Sequence, residues 1–234
     1  MAGFAQTYRS LIPESVAGAS SGAMLESFGV ALDQKFSTRT YVGLTAELLK
    51  SDVDRQHGTY DFVTIPAMPL PVVGFVPSST RESLEYEERT FSATVNQLVG
   101  REWSFGGRYR LSQADLTVRY PDIKPTLANS PASDTSAVLN QVTFFAIYNH
   151  PIGFFAQLES LWTAQSNQGY SPDIPGDNFW QFNAFAGYRF PRRRAEIRVG
   201  LLNISGQDYR LNPLNLTTEL PRERTFVMNF KFSF

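Results

Sequence analysis

The chain has 234 residues, enough for one large domain or two small ones, with 18% charged residues and a formal net charge of -1. That balance lacks the basic excess that nucleic-acid binding demands. Cysteine is absent, so disulfides and thiolate metal sites are excluded, and the two histidines, His57 and His150, are too few for an all-histidine centre. No apolar run reaches the ~18 residues of a spanning helix. The longest, residues 63–77, is interrupted by Pro66, Pro69, Pro71 and Pro77. The opening residues lack the positive region and apolar run of a signal peptide, which taken literally predicts a cytoplasmic chain.

Period-2 alternation dominates instead. A strand remnant is expected over 3–12, followed by a loop, PESVAGASS, at 13–21. Nine strands follow, over 22–33, 39–50, 84–98, 101–113, 136–149, 154–166, 178–190, 194–204 and 222–234. In 39–50, Val42, Leu44, Ala46 and Leu48 oppose Tyr41, Thr45 and Glu47. In 101–113, Trp103, Phe105, Tyr109 and Leu111 oppose Ser104, Arg108 and Arg110. The strand at 136–149 is apolar on both faces at Phe144, Phe145 and Ile147. Connections alternate between short (33–39, 99–101, 149–153, 191–194) and long (51–83, 114–135, 167–177, 205–221). Short turns at one end and long loops at the other predict an antiparallel up-and-down transmembrane β-barrel, all-β, with about ten strands visible and no domain boundary.

A soluble β-sandwich or lipocalin-like barrel alternates too, with its apolar face inward. Three features favour lipid outside. Polar faces carry Arg108, Arg110, Gln181, Asn183, Arg189, Glu196, Arg198, Asn229 and Lys231, which suit a wet lumen. Strands of ~9–11 residues match a tilted crossing. Aromatic residues mark strand ends: Trp162 and Trp180 beside a long loop, Trp103, Tyr148 and Tyr188 beside short turns, as two interfacial girdles.

The terminal strand alternates Phe226, Met228, Phe230, Phe232 and Phe234. It resembles the assembly signal of bacterial outer-membrane β-barrels, which implies recognition by the barrel-assembly machinery. The stretch VGLLNISGQDYR, then Arg224 leading the last strand, resembles the end of TonB-dependent receptors, with Asn203, Ile204, Asp208, Tyr209 and Arg224 in the corresponding places. Ile204-Ser205 departs from that family's Leu-Phe-Asp wording. The resemblance covers the last ~40 residues and implies an outer-membrane receptor or transporter segment, contributing wall and loops for uptake of an unidentified ligand. It also implies a longer protein, with a plug domain that meets TonB. The alternative is a passive porin, or a polysaccharide-export barrel joined to helical repeats.

No enzyme is expected. No Walker A, dinucleotide fingerprint or G-x-S-x-G occurs, and His150 belongs to a tight turn rather than beside a strand serine. The 51–83 loop, with His57, Tyr60, Phe62 and Phe75, is the first candidate for ligand contact. A cation contact would draw on His57 with Asp52, Asp54 and Asp61, or on Glu85, Glu87 and Glu88, but neither group has calcium-loop spacing. Solvated loops are the simpler reading. Arg192, Arg193 and Arg194 crowd one inner turn and suit anionic headgroups or plain solvent. No cofactor or metal is expected.

Overall fold

The computed structural model describes residues 24–66, 72–123, 132–171, 173, 176–191, 194–209 and 222–232. Nine strands form one antiparallel sheet in strict chain order. They are β1 (Met24–Lys35), β2 (Thr40–Ile65), β3 (Val72–Val99), β4 (Trp103–Arg119), β5 (Ser133–Asn149), β6 (Phe154–Gln168), β7 (Asn178–Arg189), β8 (Ala195–Leu202) and β9 (Thr225–Phe232). The up-and-down order follows the alternating connection lengths. Closure does not: β1 and β9 are both edges, and no pairing joins them among the described residues. The tenth strand expected at 3–12, the loop at 13–21, Arg192, Arg193 and Phe234 lie outside the described residues.

The short turns form where expected. His150 N–H donates to the Phe154 carbonyl at 2.7 Å, and Gly153, at φ 104°, closes that turn by donating to the His150 carbonyl at 3.0 Å. His150 is therefore a turn residue, with its Nδ1 accepting from the Ile152 N–H at 3.3 Å. The first turn places Arg39 at φ 62° and sends its guanidinium to the Gly100 carbonyl of the next turn, 2.9 Å away.

The long connections are the main correction. Residues 51–65 and 72–83 are not a loop: β2 and β3 pair without interruption from Thr40↔Gln97 to Ile65↔Val72. Beyond Lys50 β2 of this hairpin continues to Ile65, a ribbon of roughly 50 Å. Pro77 is tolerated because β4 pairs with β3 only up to Ser83, leaving a free edge for the missing donor. Residues 114–135 shrink likewise, since β4 runs to Arg119 and β5 starts at Ser133.

No bulge interrupts the registers, so directly paired residues share a face throughout the sheet. The fully buried strand residues all lie on the same face. Examples are Leu49, Glu88, Ser112, Leu139, Thr163 and Gln181. A single layer can shelter one face only by curving around it, so that face is concave.

Three concave glycines make room for phenylalanine. A Cβ on Gly106 would fall 2.1 Å from the Phe145 ring, on Gly200 2.3 Å from Phe185, and on Gly187 2.4 Å from both Phe155 and the Ile197 carbonyl. This explains the doubly apolar β5: Phe144 points to the convex face while Phe145 fills the space over Gly106. Gly187→Ala is expected to lower unfolding free energy by about 1–3 kcal/mol, because backbone cannot move aside cheaply. Gly58→Ala, with nothing within 4 Å, should be near neutral. Urea unfolding followed by tryptophan fluorescence measures the difference.

Candidate functional site

The convex face carries an apolar band. It includes Phe28, Val30 and Leu32 on β1, Val42 to Leu48 on β2, Phe91 and Val95 on β3, and Phe105 on β4. It continues through Phe144, Leu158 and Phe182 to the closing stripe of Phe226, Met228, Phe230 and Phe232. Apart from the half-buried Val42, Leu44, Ala46 and Leu48 of β2, these residues are exposed: Phe28 at 72%, Leu158 at 61%, Phe226 at 68% and Phe232 at 66%. With about 200 Å² per phenylalanine side chain, the four large residues of β9 alone expose on the order of 500 Å². That already equals the largest patch on a typical water-soluble monomer, ~300–600 Å², and the band spans nine strands.

Aromatic residues mark both borders of the band. At the turn side Trp103 pairs with Tyr148, their rings 4.8 Å apart, and Trp103 stacks on Phe105 at 5.7 Å. Tyr188 meets Phe190 edge to face at 5.1 Å. At the long-loop side Trp162 pairs with Trp180 at 6.5 Å, and the Trp162 indole N–H donates to Asn178 at 2.7 Å. Each aromatic residue expected at an interface thus lies at a border of the band.

The concave face is polar at the same height. The nine residues whose polarity suits a wet lumen all lie on this face: Arg108, Arg110, Gln181, Asn183, Arg189, Glu196, Arg198, Asn229 and Lys231. They are knit together. Arg189 donates from Nε to Glu196 at 2.9 Å and lies 4.1 Å above the Phe155 ring. Arg198 stacks 3.9 Å above Phe185 and reaches Gln157, which in turn donates to Glu159. Asn183 donates to Glu159 at 3.3 Å and accepts from the Asn203 N–H at 2.9 Å. Asn203, in the left-handed region at φ 50°, accepts the Gln207 N–H and turns the chain inward. Tyr209 then stacks on Phe179 at 4.9 Å. The motif residues Asn203 and Tyr209 are therefore both buried against the concave wall of β7.

Above the band the faces exchange character. On the concave side Leu49, Tyr86, Ala114, Ala137 and Leu139 form a small apolar core, with Leu116 against it. Glu88 is buried there, accepting from the Tyr86 hydroxyl at 2.8 Å and from Thr90 at 3.1 Å. The convex side turns charged, with Glu87 between Lys50 (3.1 Å) and Arg89. The signal for this exchange is in the sequence as a slip of phase: the doublet Leu48-Leu49, and three-residue steps from Leu111 to Ala114 and from Leu139 to Val142.

Alternation also separates the proposed cation clusters. His57 and Asp61 take the concave face of the ribbon while Asp52 and Asp54 take the convex one. Glu85 and Glu87 are convex, and Glu88 is concave. The ligand-loop candidates become ribbon residues: Tyr60, Phe62 and Phe75 lie exposed on one face, with the Phe62 and Phe75 rings 4.9 Å apart, and His57 lies on the other. At the ribbon's stem Glu82 accepts from Arg55 and, at 2.6 Å, from the Tyr120 hydroxyl. Burial opposes ionisation of Glu82, but these two hydrogen bonds and the charges of Arg55 and His57 outweigh it and hold the carboxyl below its ordinary value. The same bond, with burial second, pushes the Tyr120 phenol up to about 12.

No protein-family model, no curated protein and no solved structure matches the chain.

The Glu82 contribution to stability is present above the ordinary carboxylate value of 4.5 and is lost as pH falls through the lowered one. The Tyr120 contribution is present below the ordinary phenol value of 10.0 and is lost as pH rises through about 12. Glu82→Gln should bring Tyr120 back toward the ordinary value. A ¹³C NMR titration of ring-labelled tyrosine reads that return directly, and an unchanged Tyr120 titration would remove Glu82 as its cause.

Proposed function

We propose that the chain is wall and outer loops of a transmembrane β-barrel in a bacterial outer membrane, serving a receptor or transporter that takes up a ligand from outside. The observation that carries this reading is the inverted burial: large apolar side chains are exposed on the convex face while polar and charged ones are sheltered on the concave face. In water this arrangement exposes far more apolar surface than solubility tolerates. In a bilayer it places hydrocarbon against hydrocarbon and leaves the concave wall to an aqueous lumen.

Band dimensions support the same reading. Trp103 to Leu111 covers nine residues, which at ~3.3 Å each and ~40° of tilt crosses roughly 20 Å, close to the ~25 Å apolar belt of outer-membrane barrels. The β2–β3 ribbon then stands on the outer side, where Tyr60, Phe62 and Phe75 are placed to meet a ligand first. The β9 stripe of Phe226, Met228, Phe230 and Phe232 supplies both lipid contact and the signal read by the barrel-assembly machinery. Coupling to TonB would come through a plug domain outside this segment.

Adjacent residues on one strand test the assignment. Leu44 is convex, between Leu32 and Ala93, and Thr45 is concave and exposed. In protein refolded into phosphatidylcholine vesicles, Leu44→Arg should lower unfolding free energy by about 2–4 kcal/mol and Thr45→Arg by less than ~1. A water-soluble sheet would tolerate the two about equally, since Thr45 is exposed and an arginine at half-buried Leu44 could reach solvent beside an exposed apolar patch. Equal tolerance of the two substitutions, or refolding without vesicles or detergent, would count against the membrane.

A further inference from the structure

Across β2, β3, β4 and β5 the apolar side of the sheet changes over along one line. On the convex face of β2, Leu44, Ala46 and Leu48 give way to Lys50, Asp52 and Asp54, while on its concave face Thr45 and Glu47 give way to Leu49 and Val53. On β4 the convex sequence is Tyr109, Leu111, then Gln113 and Asp115, and the concave one is Arg108, Arg110, then Ala114 and Leu116. β3 and β5 change close to the same row, in which Leu49, Glu88, Ala114 and Ala137 are directly paired, the convex change stepping toward the turns from Leu48 and Lys50 on β2 to Leu111 and Gln113 on β4 and to Val142 and Asn140 on β5.

The backbone does nothing unusual at this row. Pairing runs straight through it with no bulge and no missing residue. A change of phase on an unbroken ladder reflects a change in what surrounds the sheet, not in the sheet itself. Below the row, the outside is apolar and the inside wet. Above it, the convex face holds like charges directly opposite one another, Asp52 against Glu85 and Glu87 against Asp115. Such pairs are tolerable in water and salt, and prohibitive in hydrocarbon.

We infer that the lipid–water boundary on the long-loop side crosses β2 to β5 obliquely close to this row, stepping toward the turns from β2 to β5 as tilted strands require, with Lys50, Glu87 and Arg89 at headgroup level. Above it the same strands continue as a water-bathed wall that shelters its own apolar core, Leu49, Tyr86, Ala114, Ala137 and Leu139, on the concave side. The inference rests on the membrane reading above and adds to it the depth of insertion and an extramembrane extension of the barrel wall.

The chain has no cysteine, so single cysteines at convex positions can carry a nitroxide label without competing thiols. The positions are Ala46, Leu48, Lys50, Asp52 and Asp54 on β2, and Tyr109, Leu111, Gln113 and Asp115 on β4. The labelled full chain is reconstituted in phosphatidylcholine vesicles, and collision with dioxygen is compared with collision with a neutral water-soluble nickel chelate. Dioxygen should dominate up to Leu48 and Leu111, and the chelate from Lys50 and Gln113 upward. Dioxygen dominance continuing through Asp52 and Asp115 would overturn the boundary while leaving the membrane reading intact. Chelate dominance already at Ala46 and Tyr109, or failure of the chain to enter vesicles, would sink both.

Discussion

A single layer of antiparallel strands offers each side chain two environments, and an unbroken register assigns them for the whole sheet at once. Among the described residues no second sheet packs over this one, so the core between two layers that normally makes a β-protein stable is reduced to the small concave cluster around Leu49 and Leu139. What replaces it depends on parity. A slip of one residue in any pairing would carry an arginine such as Arg108 or Arg198 to the convex band and bring a phenylalanine into the polar wall. On the proposed membrane reading each misplaced cation would cost several kcal/mol at mid-depth, which would specify the register strongly wherever the band lies.

The same parity explains what is legible in the sequence and what is hidden. In the band, one face is apolar and the other polar, so hydrophobic alternation is sharp and the strands around Val42–Leu48, Trp103–Leu111 and Phe226–Phe232 can be read directly. In the ribbon neither face is consistently apolar, alternation fades, and residues 51–65 and 72–83 read as a loop although they are paired throughout. Where the phase reverses at Leu48-Leu49 and between Leu111 and Ala114, a period-2 reading sees only a strand ending. The nine polar-wall residues stand out because charge in a strand interior is informative by itself. The Glu82–Arg55–Tyr120 cluster does not, because it joins residues far apart in the chain.

The concave wall is also less empty than its charges alone suggest. Phe145, Phe155 and Phe185 lie on it, which would be unfavourable beside water, but each covers a glycine and two are capped by guanidinium groups. An arginine stacked on a ring keeps its polar edge free for hydrogen bonding while its flat face shields apolar carbon, at a gain of ~0.5–1 kcal/mol or more. The glycine brings the ring down onto the backbone, so bulk is accommodated without narrowing the concave space. Arg189 and Arg198 therefore act as cover for aromatic surface as well as charge carriers, and replacing either by lysine would keep the charge and lose the cover.

The two edges set the remaining constraint. On the proposed membrane reading the sheet would have to close, because an open edge presents unpaired N–H and C=O groups that hydrocarbon cannot satisfy. β1 runs from the long-loop end toward the turns, from Met24 opposite Asp52 to Lys35 opposite Tyr41. β9 runs the same way, from Thr225 opposite Leu202 to Phe232 opposite Ala195. Joined directly, the two would be parallel. Closure by antiparallel pairing alone needs an odd number of further strands between them: one strand climbing from the turn side completes a ten-stranded barrel, and any larger odd number completes a larger even one. Each added strand must also continue the band, with apolar residues at convex positions from the turn-side aromatics to the level of Trp162 and Trp180, and polar ones between. A segment whose alternation breaks that pattern over the height of the band cannot be the strand that closes the wall.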